Sequence, residues 1–226
     1  LVGIGEDTGG SVRGPAAVSN LVGLRPTLPL VSRHGMMPAN PTQDTMGPMT
    51  RTVADAARVL DVIAGYDPND PITAWSVGRR PESYLDGLRP DALEGARLGV
   101  LPPRDSVPAG FEREFAQARA LFDQALADLR ALGARIVEPT GITRADLQIP
   151  GNSFETEEAT DAYLAGLPDP PVATLKEILL SGAVVPWRES SLLGLVGRTT
   201  DDPGYLEVLK ARDALRTRVL QTMAEE

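Results

Sequence analysis

The residues best suited to chemistry lie close to the start of the chain. Residues 5–17 read GEDTGGSVRGPAA, so that two glycines directly precede Ser11. A Gly-Gly pair lets the backbone take positive φ values and turn successive N–H groups toward one point. Such a nest can hold a phosphate group or the oxyanion of acyl transfer. With a serine hydroxyl at its edge, the segment can supply a nucleophile and an anion-binding site together.

A structural interpretation of the same three residues stays open at this point. Short glycine–serine sequences are common in loops, where they form turns. A serine in this position can also be the N-cap of a following helix. The tripeptide Gly9-Gly10-Ser11 alone is therefore compatible with either a catalytic or a structural role.

The longer sequence around the tripeptide favours the catalytic role over the structural one. Residues 7–16 (DTGGSVRGPA) resemble the central motif of the amidase signature family. The resemblance extends over residues 3–71, in segments 21–27 (LVGLRPT), 31–33 (VSR) with Gly35, 43–45 (QDT), 47–51 (GPMTR) and 53–57 (VADAA).

Members of that family hydrolyse carboxamides with a serine nucleophile, a second serine joined by a cis peptide bond, and a lysine base. The resemblance implies that Ser11 is the nucleophile. It also implies an oxyanion hole formed by the backbone N–H groups of Thr8, Gly9, Gly10 and Ser11. In the family the lysine and the cis-serine precede this motif. The two lysines of this chain, Lys176 and Lys210, lie far downstream and do not match.

We also have expectations for the charged residues and methionines near the motif. The resemblance implies that Asp7 and Arg13 pair and brace the turn, the alternative being that each is solvated. We expect His34 to be structural or exposed, since the family's base is a lysine; a histidine mechanism rests only on the pKa of imidazole. We expect Asp44 to be a turn residue. Four methionines near the expected acyl pocket either line a substrate wall or, as we favour, fill gaps in a core: Met36, Met37, Met46 and Met49.

The elements that position the motif are indicated by hydrophobic spacing. The first residues predict the end of a buried strand that runs into the glycine turn, and residues 15–48 are loop-rich. Apolar residues at helical spacing predict a helix over 52–64. Thr52 and Asp55 resemble a capping pair, and the following glycine is well placed to end the helix.

A second group of elements follows in the later part of the chain. Residues 97–101 (RLGVL) and 134–137 (ARIV) predict two short strands, joined by a long helix over about 110–132. A strand–helix–strand unit implies a parallel pair with a right-handed crossover. Residues 208–222 predict a last helix. The predicted class is α/β, and the resemblance implies part of the amidase signature fold, a mixed sheet covered by helices.

We expect the chain to be a C-terminal-side portion of a longer protein, truncated at both ends. It begins at Leu1 rather than at methionine and stops at Glu226 within a helical pattern. We interpret 1–226 as one partial amidase signature domain, with a nucleophile-bearing core in 1–71 and a C-terminal-side α/β portion in 72–226.

The composition limits the classes of site and partner. Cysteine is absent and histidine occurs once among 226 residues, which excludes disulfides, thiolate metal sites and multi-histidine sites. The net charge of −9 argues against a nucleic-acid partner, and no apolar run is long enough to span a membrane. We expect no cofactor, a small-molecule or peptidic amide as substrate, self-association through exposed apolar surface, and a cytoplasmic location.

Three functions remain, of which we favour an amide hydrolase. Residues 42–48 (TQDTMGP) look like the SQDTAGP form of peptide amidases and 6-aminohexanoate-cyclic-dimer hydrolases. Glutamine-dependent amidotransferase A-type subunits, the second function, usually carry Leu-Asp-Gln there. The third function, a non-catalytic α/β module, would have no reason to keep Gly-Gly-Ser intact.

Overall fold

A computed structural model of the chain describes residues 1–103 and 106–226. These residues form two compact units. The first unit consists of Leu1–Leu88 with Asn152–Tyr205, and the second of Arg89–Gly151 with Leu206–Glu226.

The helices and strands of the described residues fall in the following order. The strands are β1 (Gly3–Asp7), β2 (Val22–Gly23), β3 (Thr45–Thr50), β4 (Arg97–Gly99) and β5 (Arg135–Val137). The α-helices are α1 (Arg13–Val18), α2 (Val53–Ile63), α3 (Glu112–Ala131), α4 (Thr156–Ala165), α5 (Leu175–Leu180), α6 (Pro186–Leu193) and α7 (Pro203–Glu225). Short 3-10 helices span Pro71–Ser76, Tyr84–Gly87 and Ala145–Leu147.

The first unit is built on a three-stranded antiparallel sheet with the order β1-β3-β2. Asp7 at the end of β1 pairs with Thr45 at the start of β3. The strand predicted at the start of the chain is present, but it is less buried than expected. Its Ile4 is 48% exposed. β2 and the start of β3 lie in the stretch for which the sequence predicts loops.

Helix α2 forms as the capping pair predicts. The hydroxyl of Thr52 accepts a hydrogen bond from the backbone N–H of Asp55, at 3.1 Å. The helix ends just before Gly65, whose φ of +154° suits glycine. Its Leu60 packs with Val31 and Ala64 in a buried cluster of the first unit. A separate buried cluster joins α5 to α6 through Leu175, Leu179 and Leu192.

The second unit contains the predicted strand–helix–strand arrangement. β4 and β5 are parallel, with Arg97 opposite Arg135 and Gly99 opposite Val137, and α3 connects them. None of the α3 residues is buried, since a two-stranded sheet offers the apolar side of a 20-residue helix little surface to cover it. In the described part of the chain, no helix is long and apolar enough to cross a membrane.

Candidate functional site

The candidate site is organised by Asp7, the last residue of β1. Its side chain is completely buried. One carboxylate oxygen, Oδ1, accepts a hydrogen bond from the N–H of Gly10 at 2.7 Å. The other, Oδ2, accepts from the N–H groups of Val12 and Arg13 at 3.3 and 3.4 Å. A single carboxylate thus holds the backbone on both sides of Ser11.

Two arginines contact the same carboxylate. Arg13 donates from Nε to Oδ2 at 3.0 Å and from Nη2 to Oδ1 at 3.1 Å. Arg25 donates from Nη1 to Oδ1 at 3.0 Å and also to the backbone carbonyl of Asp7. Burial alone would raise the pKa of Asp7. The hydrogen bonds from Arg13 and from the three backbone N–H groups outweigh it and hold that pKa well below its usual range.

Ser11 is exposed and lies between the buried end of β1 and α1. The residue at the N-cap position of α1 is Val12, and no side chain caps this helix. The interpretation of Ser11 as a capping serine is therefore wrong. The Ser11 hydroxyl makes no hydrogen bond with any described residue, so it stays available to a molecule in solution.

The backbone N–H groups of the loop divide into two kinds. That of Gly10 is occupied by Asp7, although the family resemblance assigns it to the oxyanion hole. Those of Thr8, Gly9 and Ser11 form no hydrogen bond within residues 1–103 and 106–226. Gly10 has a φ of +137°, a conformation that residues other than glycine rarely adopt. The glycine is thus required by the path of the loop.

The loop is also held from the side of Thr8, by residues that precede β3. The Thr8 hydroxyl donates to Asp44 Oδ1 at 2.7 Å, and Gln43 Nε2 donates to the Thr8 carbonyl at 2.9 Å. Arg25 Nη2 in turn donates to the carbonyl of Gln43 at 2.6 Å. Arg25 therefore connects the two supports of the loop.

Asp44 does more than the turn residue that the sequence predicts. Its side chain is completely buried, and its Oδ2 accepts from the N–H groups of Ala39 and Asn40 at 2.9 and 2.7 Å. Glu6 Oε1 lies 3.3 Å from the same Thr8 hydroxyl that Asp44 binds. Burial, and then the negative charge of Asp44, raise the pKa of Glu6 above its ordinary value.

Residues that could act as a general base lie elsewhere. His34 is exposed, and its backbone N–H donates to Ser32 Oγ. Lys176 forms an ion pair with Glu157 at 2.9 Å, and Lys210 forms one with Glu207 at 3.0 Å. Neither His34 nor Lys176 contacts Ser11 among the described residues of the first unit.

The four methionines do not form one wall. Met46 packs against the buried cluster of Val31, Leu60 and Ala64. Met49 lies over the sheet, with its Cε within 4 Å of where Gly3 and Gly5 would carry side chains. Met36 lines a pocket of about 390 Å³, and Met37 is exposed. Among the described residues there is also no cluster of three or more metal-ligating side chains.

The fold and the braced Gly-Gly-Ser loop define a member of a known family. The sequence profile of the family described as Amidase matches residues 1–176, more than three quarters of the chain. The chain belongs to the amidase family, which confirms the resemblance stated from the motif.

Individual relatives include amidotransferase subunits and amidases. The A subunit of the glutamyl-tRNA(Gln) amidotransferase from Thermosynechococcus vestitus is 43% identical over 135 residues, which cover 60% of this chain and 26% of the relative. A probable amidase from Arabidopsis thaliana is 32% identical over 187 residues, covering 79% of this chain and 34% of the relative. The chain thus spans only about a quarter to a third of the curated relatives it matches.

Solved structures place the fold in the same family. The peptide amidase from Stenotrophomonas maltophilia matches with a TM-score of 0.73 and 33% identity, over 94% of this chain and 44% of that structure. The predicted α/β class and the predicted amidase signature fold are therefore confirmed.

Two residues that support the site have no role predicted from the sequence. Arg25 lies within the resembling segment, eighteen residues after Asp7, and that position is the only signal for its contact with the carboxylate. Glu155 binds Thr42 from outside the motif. No local signal marks it, since this contact spans 113 residues.

Proposed function

We propose that this chain carries the nucleophile of an amide hydrolase. Ser11 Oγ adds to the carbonyl carbon of a carboxamide while a base takes the hydroxyl proton. The carbonyl oxygen becomes an oxyanion, which the N–H groups of Thr8, Gly9 and Ser11 stabilise. The C–N bond then breaks, the amine leaves with a proton, and water hydrolyses the resulting acyl-enzyme ester.

The observation that carries this proposal is the bracing of the loop by Asp7. A buried carboxylate that binds Gly10, Val12 and Arg13 fixes the backbone around an exposed serine whose hydroxyl has no partner in the described residues. Preorganised donors stabilise a developing charge without reorganising during the reaction. The N–H groups of Thr8, Gly9 and Ser11 form no hydrogen bond within the described residues, so they are available to bind a developing oxyanion.

The base is proposed to be the lysine that the family carries before this motif, assisted by the cis-serine. A serine hydroxyl is a weak nucleophile until a neighbouring group removes its proton. Lys176 and Lys210 are engaged in ion pairs on α5 and α7, and His34 does not contact Ser11 in the part of the chain that is described. We therefore propose that the complete active site also includes residues that the family carries before this motif.

The proposed substrate class is a linear or cyclic amide, including peptidic amides. The structural match to a peptide amidase at 33% identity supports the peptidic members of this class. Activity on a 6-aminohexanoate cyclic dimer, self-association through exposed apolar surface, and a cytoplasmic location stay predictions.

The test is the substitution Ser11→Ala in the full-length protein. We expect hydrolysis of benzamide and of a dipeptide amide to fall at least about a thousandfold, because covalent catalysis loses its nucleophile. Labelling by a fluorophosphonate probe should disappear as well. The matched control is Ser19→Ala, which changes an exposed serine at the end of α1 and should leave both signals intact. Turnover of Ser11→Ala at the wild-type rate would show that the motif is structural.

A glutamine-dependent amidotransferase subunit is the second candidate function. It is supported by the 43% identity to the Thermosynechococcus vestitus A subunit over 60% of this chain. The segment 42–48 argues against it, since it has the Gln-Asp-Thr order of the hydrolases. A glutaminase activity that rises when partner subunits are added would support the amidotransferase; free hydrolysis of simple amides without partners supports the hydrolase.

A further inference from the structure

The Thr8 side of the candidate site depends on an irregular segment, residues 39–44, which we call the support loop. It presents Asp44 to the Thr8 hydroxyl and Gln43 to the Thr8 carbonyl. The loop closes on itself, because the N–H groups of Gln43 and Asp44 both donate to the carbonyl of Asn40 at 2.8 Å. A small displacement of the support loop would therefore move both contacts to Thr8 together.

The support loop is anchored from outside by Glu155, which directly precedes α4. Glu155 Oε2 accepts from the N–H of Thr42 at 2.9 Å, and Oε1 accepts from the Thr42 hydroxyl. Asn152 Nδ2 donates to the same Oε1 at 2.7 Å. Next to Glu155, the hydroxyl of Thr156 donates to Asn40 Oδ1 at 3.4 Å. All of these residues belong to the first compact unit.

Because the Glu155 side chain is buried, this anchor needs hydrogen-bond donors around its carboxylate. The residue is only 4% exposed, and it takes part in none of the ion pairs found among the described residues. A buried carboxylate without a cation needs N–H and O–H donors to compensate for lost water. Two of the donors that bind Glu155 belong to Thr42. The position of the support loop is thus coupled to the position of the Glu155 side chain.

A second anchor acts on the neighbouring residue. Arg33 pairs with Asp70 at 2.9 Å and donates from Nη1 to the carbonyl of Pro41. Both side chains of this pair are mostly buried. The support loop is therefore held at two consecutive residues, Pro41 and Thr42, directly before Gln43 and Asp44 begin to contact Thr8.

We propose that Glu155 is a positioning residue for acyl transfer: through Thr42 it fixes the support loop, and through the support loop it fixes the Thr8 end of the loop formed by residues 8–11. The proposal rests on the proposed function of Ser11. Misplacing reacting groups by about 1 Å costs on the order of a hundredfold in rate. An error in the N–H groups affects the transition state, in which the oxyanion exists, more than it affects substrate binding.

The test is Glu155→Gln in the full-length protein, assayed with benzamide, a dipeptide amide and a fluorophosphonate probe. The amide side chain keeps the size of glutamate but places an NH2 group against donors of Thr42. We expect kcat to fall about 10- to 100-fold while KM changes less than about threefold. The labelling rate of Ser11 should fall in parallel with kcat. Thr42→Val, which removes one donor and keeps the volume, should give a smaller loss of the same kind.

The matched control is Glu158→Gln, three residues further along in α4. Glu158 binds Thr200 as Glu155 binds Thr42, with one oxygen on the N–H at 3.3 Å and the other on the hydroxyl at 2.9 Å. Thr200 makes no hydrogen bond to the support loop within the described residues, so this variant should keep the wild-type kcat. A purely structural role predicts instead that lost activity follows lost folded protein, with unchanged kcat per labelled Ser11.

The outcomes separate this inference from the proposed function. If the wild type hydrolyses amides and Ser11→Ala does not, wild-type kcat in Glu155→Gln or an equal loss in Glu158→Gln overturns the positioning role alone. If Glu155→Gln does not fold, Thr42→Val decides, and an unchanged kcat in that variant overturns the role. A wild type whose turnover survives Ser11→Ala overturns the proposed function itself.

Discussion

At the scale of single residues, the conformation of the candidate site is held by buried carboxylates and not by Ser11. Asp7 gathers backbone N–H groups from both sides of the serine, and Asp44 holds Thr8 from the opposite side. Each is completely buried, so each requires its donors at fixed positions. The serine itself is exposed and its hydroxyl binds none of the described residues, which leaves that hydroxyl for chemistry.

Asp7→Asn should destabilise the chain, and the effect should depend on pH. The variant loses the charge that pairs with Arg13 and Arg25, and we expect a cost of about 2–4 kcal/mol in the free energy of unfolding at pH 7. Because the pKa of Asp7 is lowered in the folded state, its ionised form stabilises the fold above the unfolded pKa of about 3.9, and this contribution is lost as pH falls below it.

Urea unfolding of the wild type and the variant at pH 7 and pH 3 measures this difference. The difference in the free energy of unfolding between the wild type and Asp7→Asn should be smaller at pH 3 than at pH 7. As a control, Asp213→Asn removes an exposed pair with Arg216 and should change the free energy of unfolding by less than about 0.5 kcal/mol at either pH. A gap for Asp7→Asn that is equal at both pH values would contradict the assigned titration.

The supporting roles of Arg25 and Glu155 could not be predicted from the sequence, and the physical reason is the same for both. Ser11 could be proposed from the sequence because its motif is contiguous. The contacts of Arg25 with Asp7 and of Glu155 with Thr42 join residues 18 and 113 positions apart, and only the folded chain brings them together. For Asp44 the sequence predicts only a local role, since a turn is what an isolated Asp favours.

At the scale of elements, prediction succeeded where a pattern is local. α2 and the β4–α3–β5 unit follow from helical spacing, a capping threonine and short apolar runs. β3 (TMGPMT) contains a glycine and a proline and lacks the alternation of a typical strand, so its pairing is set by tertiary contacts. This strand, which directly follows the support loop, is thus one that local patterns do not indicate.

Gly47 within β3 allows a close approach that a side chain would prevent. An added Cβ would overlap the carbonyl oxygen of Leu24 and lie 3.0 Å from Pro26 Cδ. The Leu24 backbone cannot retreat freely, because its N–H donates to the carbonyl of Pro48 at 3.0 Å. We therefore expect Gly47→Ala to lower the free energy of unfolding by about 1–3 kcal/mol.

Thermal and urea unfolding of the chain test this expectation against Gly14→Ala. Gly14 lies in α1, where an added Cβ meets no atom within 4 Å. Since alanine favours a helix over glycine by roughly 0.5–1 kcal/mol, Gly14→Ala should be neutral or stabilising. Equal effects of the two substitutions would mean that the contact with Leu24 does not constrain the strand.

At the scale of the whole molecule, the chain has the fold of the amidase family and exposes much apolar surface. Several large apolar side chains in the described residues remain mostly solvent-accessible, among them Val62, Trp75, Leu180 and Trp187, with exposures of 84, 72, 85 and 77%. Apolar surface of this kind favours association with other protein surface. The net charge of −9 opposes such association at low salt, because like charges repel.

We expect the 226-residue chain alone to hydrolyse amides far more slowly than a protein that also carries the family's upstream lysine and cis-serine. Among the described residues of the first unit, neither His34 nor Lys176 contacts Ser11, so neither is placed to remove the hydroxyl proton. The oxyanion site by itself supplies a residual acceleration of roughly a thousandfold over water. The measurement is fluorophosphonate labelling and benzamide turnover of the purified chain, with its Ser11→Ala variant as background. Rapid, stoichiometric labelling of Ser11 together with turnover would place the base within this chain and refute the proposed upstream lysine.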